Sequence, residues 1–173
     1  MARQRTEPRF DPYAILAALD REGTAYVVVG ALARVLQGSE ELTRGVDLTP
    51  STREENLRRL DLALASIHAQ RSDGREPAAR MTDFAAEPVV ELRSDHGAVK
   101  VVPFPEGTRG YDDLRRGAQR LRIGRGLRPA VASAPDLARM LHALGREHDI
   151  PKLQMMRRLI ELDRRDRSRG IER

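Results

Sequence analysis

The chain of 173 residues contains no cysteine and no tryptophan. Without cysteine there is no disulfide and no thiolate metal ligand, a pattern that fits a reducing compartment. No apolar run approaches the roughly 20 residues that a membrane span needs. The opening segment, MARQRTEPRF, is basic but lacks the apolar stretch of a signal peptide. These absences predict a cytoplasmic protein with no membrane partner. Aromatic residues are scarce, three Tyr and three Phe, so the core has to be built from Leu, Val, Ile and Ala. The four histidines, His68, His96, His142 and His148, show no metal-ligand spacing. No Ser-His-Asp or nucleophile-elbow pattern is present. The stretch GTRGYDDLRRG is too short and too charged to serve as a phosphate loop.

What the sequence has in plenty is charge. One third of the residues are ionic, with 31 bases against 26 acids and a net charge of +5. A basic surface suits a nucleic acid, a nucleotide or an acidic protein partner. Heavy use of Arg over Lys is also what genome composition alone would produce. The acids are too numerous for a polycationic arm.

Residues 1–10 read as a flexible basic arm, 11–165 as one folded domain and 166–173 as a frayed tail. Asp11 is placed to cap a helix with Pro12 in its first turn. Ile15, Leu16 and Leu19 form its stripe, and Gly23 ends it. AYVVVG is short and β-branched, as a buried strand is. Gly30 opens a short helix that Gly38 closes. GVDLT is a second strand. Ser51 with Glu54 reads as a capping box for a helix whose apolar face is Leu57, Leu60, Leu64 and Ile67. Residues 70–84 have no period and read as a loop. EPVVELRS and GAVKVVPF alternate on either side of DHG, which predicts a hairpin. Residues 110–133 hold a short helix and one or two short strands. Ser133 and Asp136 are a second capping pair, ahead of an amphipathic helix carrying Leu137, Met140, Leu141 and Leu144. A last helix carries Leu153, Met156 and Ile160. The order predicts an α+β (mixed α/β) fold, a small sheet covered by helices.

Three segments, taken in order, resemble one family. They are YVVVGALARVLQGSEELTRGVDLTP, HGAVKVVPFPEGTRGYDDL and VASAPDLARMLHALGREHDIPKL. Together they are similar to the minimal bacterial nucleotidyltransferase fold of toxin–antitoxin and abortive-infection systems. The likeness runs from about Asp11 to Leu162. It implies a small mixed sheet with a C-terminal helical pair. In that family the first strand ends in small residues at a helix start, where backbone N–H groups suit a triphosphate. The next strand carries two carboxylates two residues apart, which hold Mg²⁺. A third carboxylate stands on a neighbouring strand.

Carried over residue by residue, the resemblance places nucleotide-binding positions at Gly30, Ala31, Ser39 and Lys100. It places a residual catalytic and metal-binding acid at Asp47. If the protein is active, its cofactors are Mg²⁺ and a nucleoside triphosphate. The departures are concentrated at the site itself. Gly45 stands where the first acid belongs, Lys100 where the third belongs, and Leu141 where many relatives carry a Lys. Ala31 replaces the second small polar or Gly residue. A Lys beside Asp47 would pair with it, with a Coulomb attraction of about 4 kcal/mol at roughly 4 Å and an effective dielectric near about 20. That pair would compete with metal for the remaining acid. Glu91, Asp95 and Glu87 are the acids that could substitute. The expectation is a catalytically degenerate protein that binds nucleotide, nucleic acid or a partner. The alternative is an active Mg-dependent transferase modifying RNA or protein in a toxin–antitoxin or defence system.

Plainer readings stand beside these. Asp47 can be a strand-end acid capping a turn, Gly30 a turn residue, and Lys100 the guard of an edge strand. The densest basic run, residues 115–128, has no acid in it. Its Arg115, Arg116, Arg120 and Arg122 are candidate contacts to nucleic-acid phosphates or to an acidic protein. A solvated face is the alternative. The run has no aromatic residue, so it offers no base stacking of its own.

Overall fold

The computed structural model of the protein describes residues 9–72 and 87–171. Most of the basic arm and most of the 70–84 loop lie outside those residues.

Helix α1 (Pro12–Arg21) starts as the sequence predicts. Asp11 accepts a hydrogen bond from Ala14 N at 3.2 Å, and Pro12 occupies the first turn. Strand β1 (Tyr26–Val29) is buried at every position, and it runs straight into α2 (Gly30–Leu36). Strand β2 (Gly45–Pro50) returns antiparallel to β1. Helix α3 (Glu54–Ser66) follows, but without the expected capping box. Its N-cap is Arg53, whose side chain makes no capping bond. Asn56 ties the region down instead, donating to the carbonyls of Ala25 and Ser51 at 3.0 and 2.8 Å and accepting from Ala25 N at 2.7 Å. Glu54 is drawn outward to Arg58, one helical turn on.

The expected loop starts later than the pattern suggests. Gln70–Arg71 form β3, paired with Leu92 and Arg93 of β4 (Val90–Ser94). The hairpin of β4 and β5 (Gly97–Val101) matches its alternation, with Val90, Leu92, Val99 and Val101 buried. Helix α4 (Tyr111–Leu114), β6 (Gln119–Arg120) and β7 (Ala130–Val131) are the short elements. In α5 (Ala134–Leu144) Ser133 caps Asp136 N at 3.2 Å, and Gly145 closes the helix in the left-handed region. A 3₁₀ turn at Glu147–Asp149 leads into α6 (Ile150–Ile171). That helix continues past residue 165, where the sequence suggests fraying. Exposed pairs Arg165–Glu161 and Arg167–Asp163 carry it on.

The strands form one mixed sheet in the order β3-β4-β5-β2-β1-β7-β6. β2 runs parallel to β5, and β1 parallel to β7. Alternation along β2 separates two faces. Val46 and Leu48 are fully buried in the core with the apolar faces of α1 and α3. Asp47 points the other way, toward α2. The core is aliphatic, as the poverty in aromatics requires; Leu16, Leu60, Val27, Val28 and Met156 have no exposed surface. No described helix is long and apolar enough to cross a membrane.

Candidate functional site

The turn from β1 into α2 sets the site. Val29 pairs with Asp47, Asp47 with Lys100, and Lys100 with Glu91, so four strands put one row of side chains across the sheet. Gly30 sits beside that row with φ 68°, in the left-handed region that favours glycine. A Cβ at Gly30 would stand 2.3 Å from Asp47 Oδ2. The carboxylate therefore occupies the space a side chain there would need.

Above the row opens a cavity of about 560 Å³. Gly30, Ala31 and Arg34 of α2 form one wall, and Leu137, Met140, Leu141 and Leu144 of α5 another. Phe104, 60% exposed, and Leu144, 39% exposed, stand at its rim. Arg146, Asp149 and Lys152 border it where α5 gives way to α6. Four of the positions expected to act together, Gly30, Ala31, Asp47 and Lys100, are thus neighbours in one cleft.

The cations of this cleft are engaged. Arg34 donates through Nε and Nη2 to Glu41 at 2.9 and 2.8 Å. Ser39, buried, donates to the same carboxylate at 3.1 Å. That bond takes Ser39 into the Arg34–Glu41 network, and it does not line the cleft. Asp149 is 1% exposed and receives Arg146 Nε at 2.6 Å and Lys152 Nζ at 2.9 Å. Burial alone would raise its pKa, but the hydrogen bonds and charges of Lys152 and Arg146 outweigh that and hold it below the usual carboxylate range.

Lys100 does not pair with Asp47. Its Nζ lies 3.3 Å from Glu91 Oε1, toward solvent. The two residues are directly opposed on an antiparallel pair, and the long Lys stem carries the ammonium outward. Asp47 is short and deeper, and among the described residues no hydrogen bond or ion pair reaches its carboxylate. Burial pushes its pKa up. Lys100 and Arg34 act against that, and Glu91 adds to it.

The missing first acid has a steric cause as well as a sequence one. A Cβ on Gly45 would meet the carbonyl oxygen of Ala98 at 2.8 Å, so the backbone of β5 fills the place. Glu87 pairs with Arg71, and Asp95 with His68 at 2.6 Å; neither lines the cleft. Glu91 does line it. Among the described residues no three His, Asp or Glu side chains are grouped so as to hold a metal. The donor set does not fit a Mg²⁺ pair: in the row Lys100 stands between Asp47 and Glu91 and holds Glu91, and Asp149 is taken by Arg146 and Lys152.

The basic run lies elsewhere. Arg115 and Arg120, with Arg128, border a cavity of about 660 Å³ at the other end of β1. Arg116 and Arg122 are exposed and do not border it. Tyr26 and Tyr111 do, brought from β1 and α4. Neither tyrosine lies within the run of residues 115–128.

No family model matches the chain, and no curated protein matches it. Solved structures do. A protein of Thermotoga maritima described as a nucleotidyltransferase superposes with a TM-score of 0.52 at 17% identity, over 85% of this chain and 88% of its own. The antibiotic-resistance factor ANT(2'')-Ia superposes with a TM-score of 0.57 at 12% identity, over 92% of each chain. At such identities the likeness is one of fold. The architecture is nucleotidyltransferase-like: a small mixed sheet covered by helices, with a C-terminal helical pair.

Proposed function

We propose that this protein is a catalytically silent member of the nucleotidyltransferase-like fold that works by binding. The observation that carries this reading is the cross-strand row itself. One unpaired acid, Asp47, is followed by Lys100 held to Glu91, and the position two residues before Asp47 is closed by Ala98. Two-metal transfer needs several carboxylates converging on ions roughly 3.5–4 Å apart. A nucleotide entering this cleft would meet cations already committed to Glu41, Glu91 and Asp149. A role in a toxin–antitoxin or defence pair is the narrower form of the same reading. It rests on the family resemblance alone, and stable co-purification with the product of a neighbouring gene is its test.

The activity test uses labelled nucleoside triphosphates, Mg²⁺ or Mn²⁺ and mixed RNA. Wild type should incorporate no more label than Asp47→Ala. Robust labelling that Asp47→Ala abolishes would overturn the proposal. One observation favours a second reading, in which the enzyme is active with an unusual acid set: Glu91 borders the same cleft as Asp47. In that case Glu91→Gln should abolish labelling too.

A further inference from the structure

The cavity beneath the basic run is part of a longer groove. A second cavity, about 270 Å³, lies next to it under Arg53 and Ser51. Ala25, Tyr111 and Arg115 border both, so the two adjoin on one face. The groove lies at the start of β1 and the Asp47 cleft at its end, roughly 10 Å apart at about 3.3 Å per residue.

Charge distinguishes the two ends. In the Asp47 cleft each of the four cations is paired with a carboxylate. In the groove the cations outnumber the acids, five arginines against three carboxylates. Asp112 accepts from Arg115 at 2.8 Å and Glu55 holds Arg59 at 2.5 Å, while Asp20, which accepts from the neutral Tyr26 hydroxyl at 3.2 Å, keeps its charge. Arg53, Arg120 and Arg128 are left exposed, with no carboxylate partner among the described residues. Arg53 stands at one end of the groove, Arg120 and Arg128 at the other. Half-buried Tyr111 lies between, the aromatic surface that the basic run itself lacks. A compact anion would engage one end only. A chain of phosphates engages both.

We infer that this groove binds the phosphate backbone of single-stranded nucleic acid. The inference is independent of whether the Asp47 cleft is silent. Guanidinium groups suit phosphate oxygens through their paired donors. Each neutralised phosphate releases counterions, so binding has to weaken with salt. A half-buried ring beside the chain gives a base a face to stack on without reading sequence.

The test is fluorescence anisotropy with a fluorescein-labelled single-stranded RNA of mixed sequence, at low salt and along a salt series. Arg120→Ala/Arg128→Ala should weaken binding at least tenfold. It should also reduce the slope of log K against log salt by about 1.4, at roughly 0.7 per phosphate contact on a single strand. Arg53→Ala, at the other end, should weaken binding by a smaller factor and serves as an independent check on the pair. Arg165→Ala/Arg167→Ala on α6 should leave binding unchanged. No shift with wild type at low salt would overturn the inference. So would equal loss in the α6 control, or saturable ATP binding at Arg120 and Arg128 by a protein that does not bind the RNA.

Discussion

Asp47 rests its carboxylate against the bare α carbon of Gly30, where a Cβ would lie 2.3 Å from Oδ2. Two penalties therefore meet in Gly30→Ala. A side chain at φ 68° costs about 1–2 kcal/mol, and the contact with Asp47 adds to it. Urea unfolding should show a loss of about 2–4 kcal/mol. In an Asp47→Ala background the carboxylate is gone and only the 3.0 Å approach of the residue 47 Cβ remains beside the backbone strain, so the loss should shrink by about 1 kcal/mol or more. Equal losses in both backgrounds would mean that the carboxylate does not hold that position.

Gly45→Asp puts an acid where the resemblance places the first carboxylate, and the geometry argues that it builds no metal site. Its Cβ would press on the Ala98 carbonyl at 2.8 Å, and only movement of β2 or β5 relieves that. Overpacking of this kind costs about 1–3 kcal/mol. The variant should melt below wild type and bind Mn²⁺ no better in an EPR titration. Tight Mn²⁺ binding at unchanged stability would refute the steric account.

The sequence carried the elements well where one local signal decides them. Asp11-Pro12 and Ser133 start helices, and the alternation about DHG makes the hairpin. It carried the row of Asp47 and Lys100 because strand period and adjacency are regular. It did not carry who pairs with whom. Lys100 has Asp47 on one side and Glu91 on the other, and depth from solvent decides between them. It misplaced Ser39, which a contact with Glu41 only two residues away removes from the cleft. The capping box failed because Asn56, five residues from Ser51, ties the loop more strongly than Glu54 can. The tyrosines of the groove come from residues 26 and 111, far in sequence from the arginines at 120 and 128. Nothing in a one-dimensional pattern joins them.

Asp47 should reveal its burial through pH. Its folded pKa is raised, so the native state holds a proton that the unfolded chain releases near pH about 3.9. The stability associated with that proton is full below the unfolded value and is lost as pH rises through the folded one. Asp47→Asn should therefore match wild type at low pH and become the more stable protein on the way to neutrality. Urea midpoints from pH 3 to 7 check this. A constant difference across the series would show that the carboxyl titrates normally.

Asp149 should behave with the opposite sign. Its folded pKa is depressed by Lys152 and Arg146, so its contribution is present above the unfolded value and lost as pH falls through the folded one. Asp149→Asn should cost about 1–3 kcal/mol at neutral pH, since the buried charge is lost and one of the two acceptor oxygens becomes a donor NH₂ facing a cation. The gap to wild type should narrow toward pH 2. A gap that stays open in acid would assign the loss to packing rather than charge.

Lys100→Asp tests whether Lys100 keeps divalent ions out of the cleft. Asp47 and residue 100 are register partners on neighbouring parallel strands, and Glu91 faces residue 100 from the other side. The substitution turns an acid–base–acid row into three carboxylates with spacings of about 4.8 Å between strands. Their mutual repulsion should lower the melting temperature in EDTA. A divalent ion that binds only the folded state should then restore it with rising concentration, as mass action requires. Differential scanning fluorimetry with Mn²⁺ reads this directly. Wild type should show no such shift, because Lys100 separates the two acids in the row and its ammonium holds Glu91. Nucleotide transfer should still be absent, since Gly45 remains closed by Ala98. If Lys100→Asp gains no stabilisation from Mn²⁺, the ammonium is not what excludes the metal, and the depth of Asp47 beside Gly30 becomes the cause.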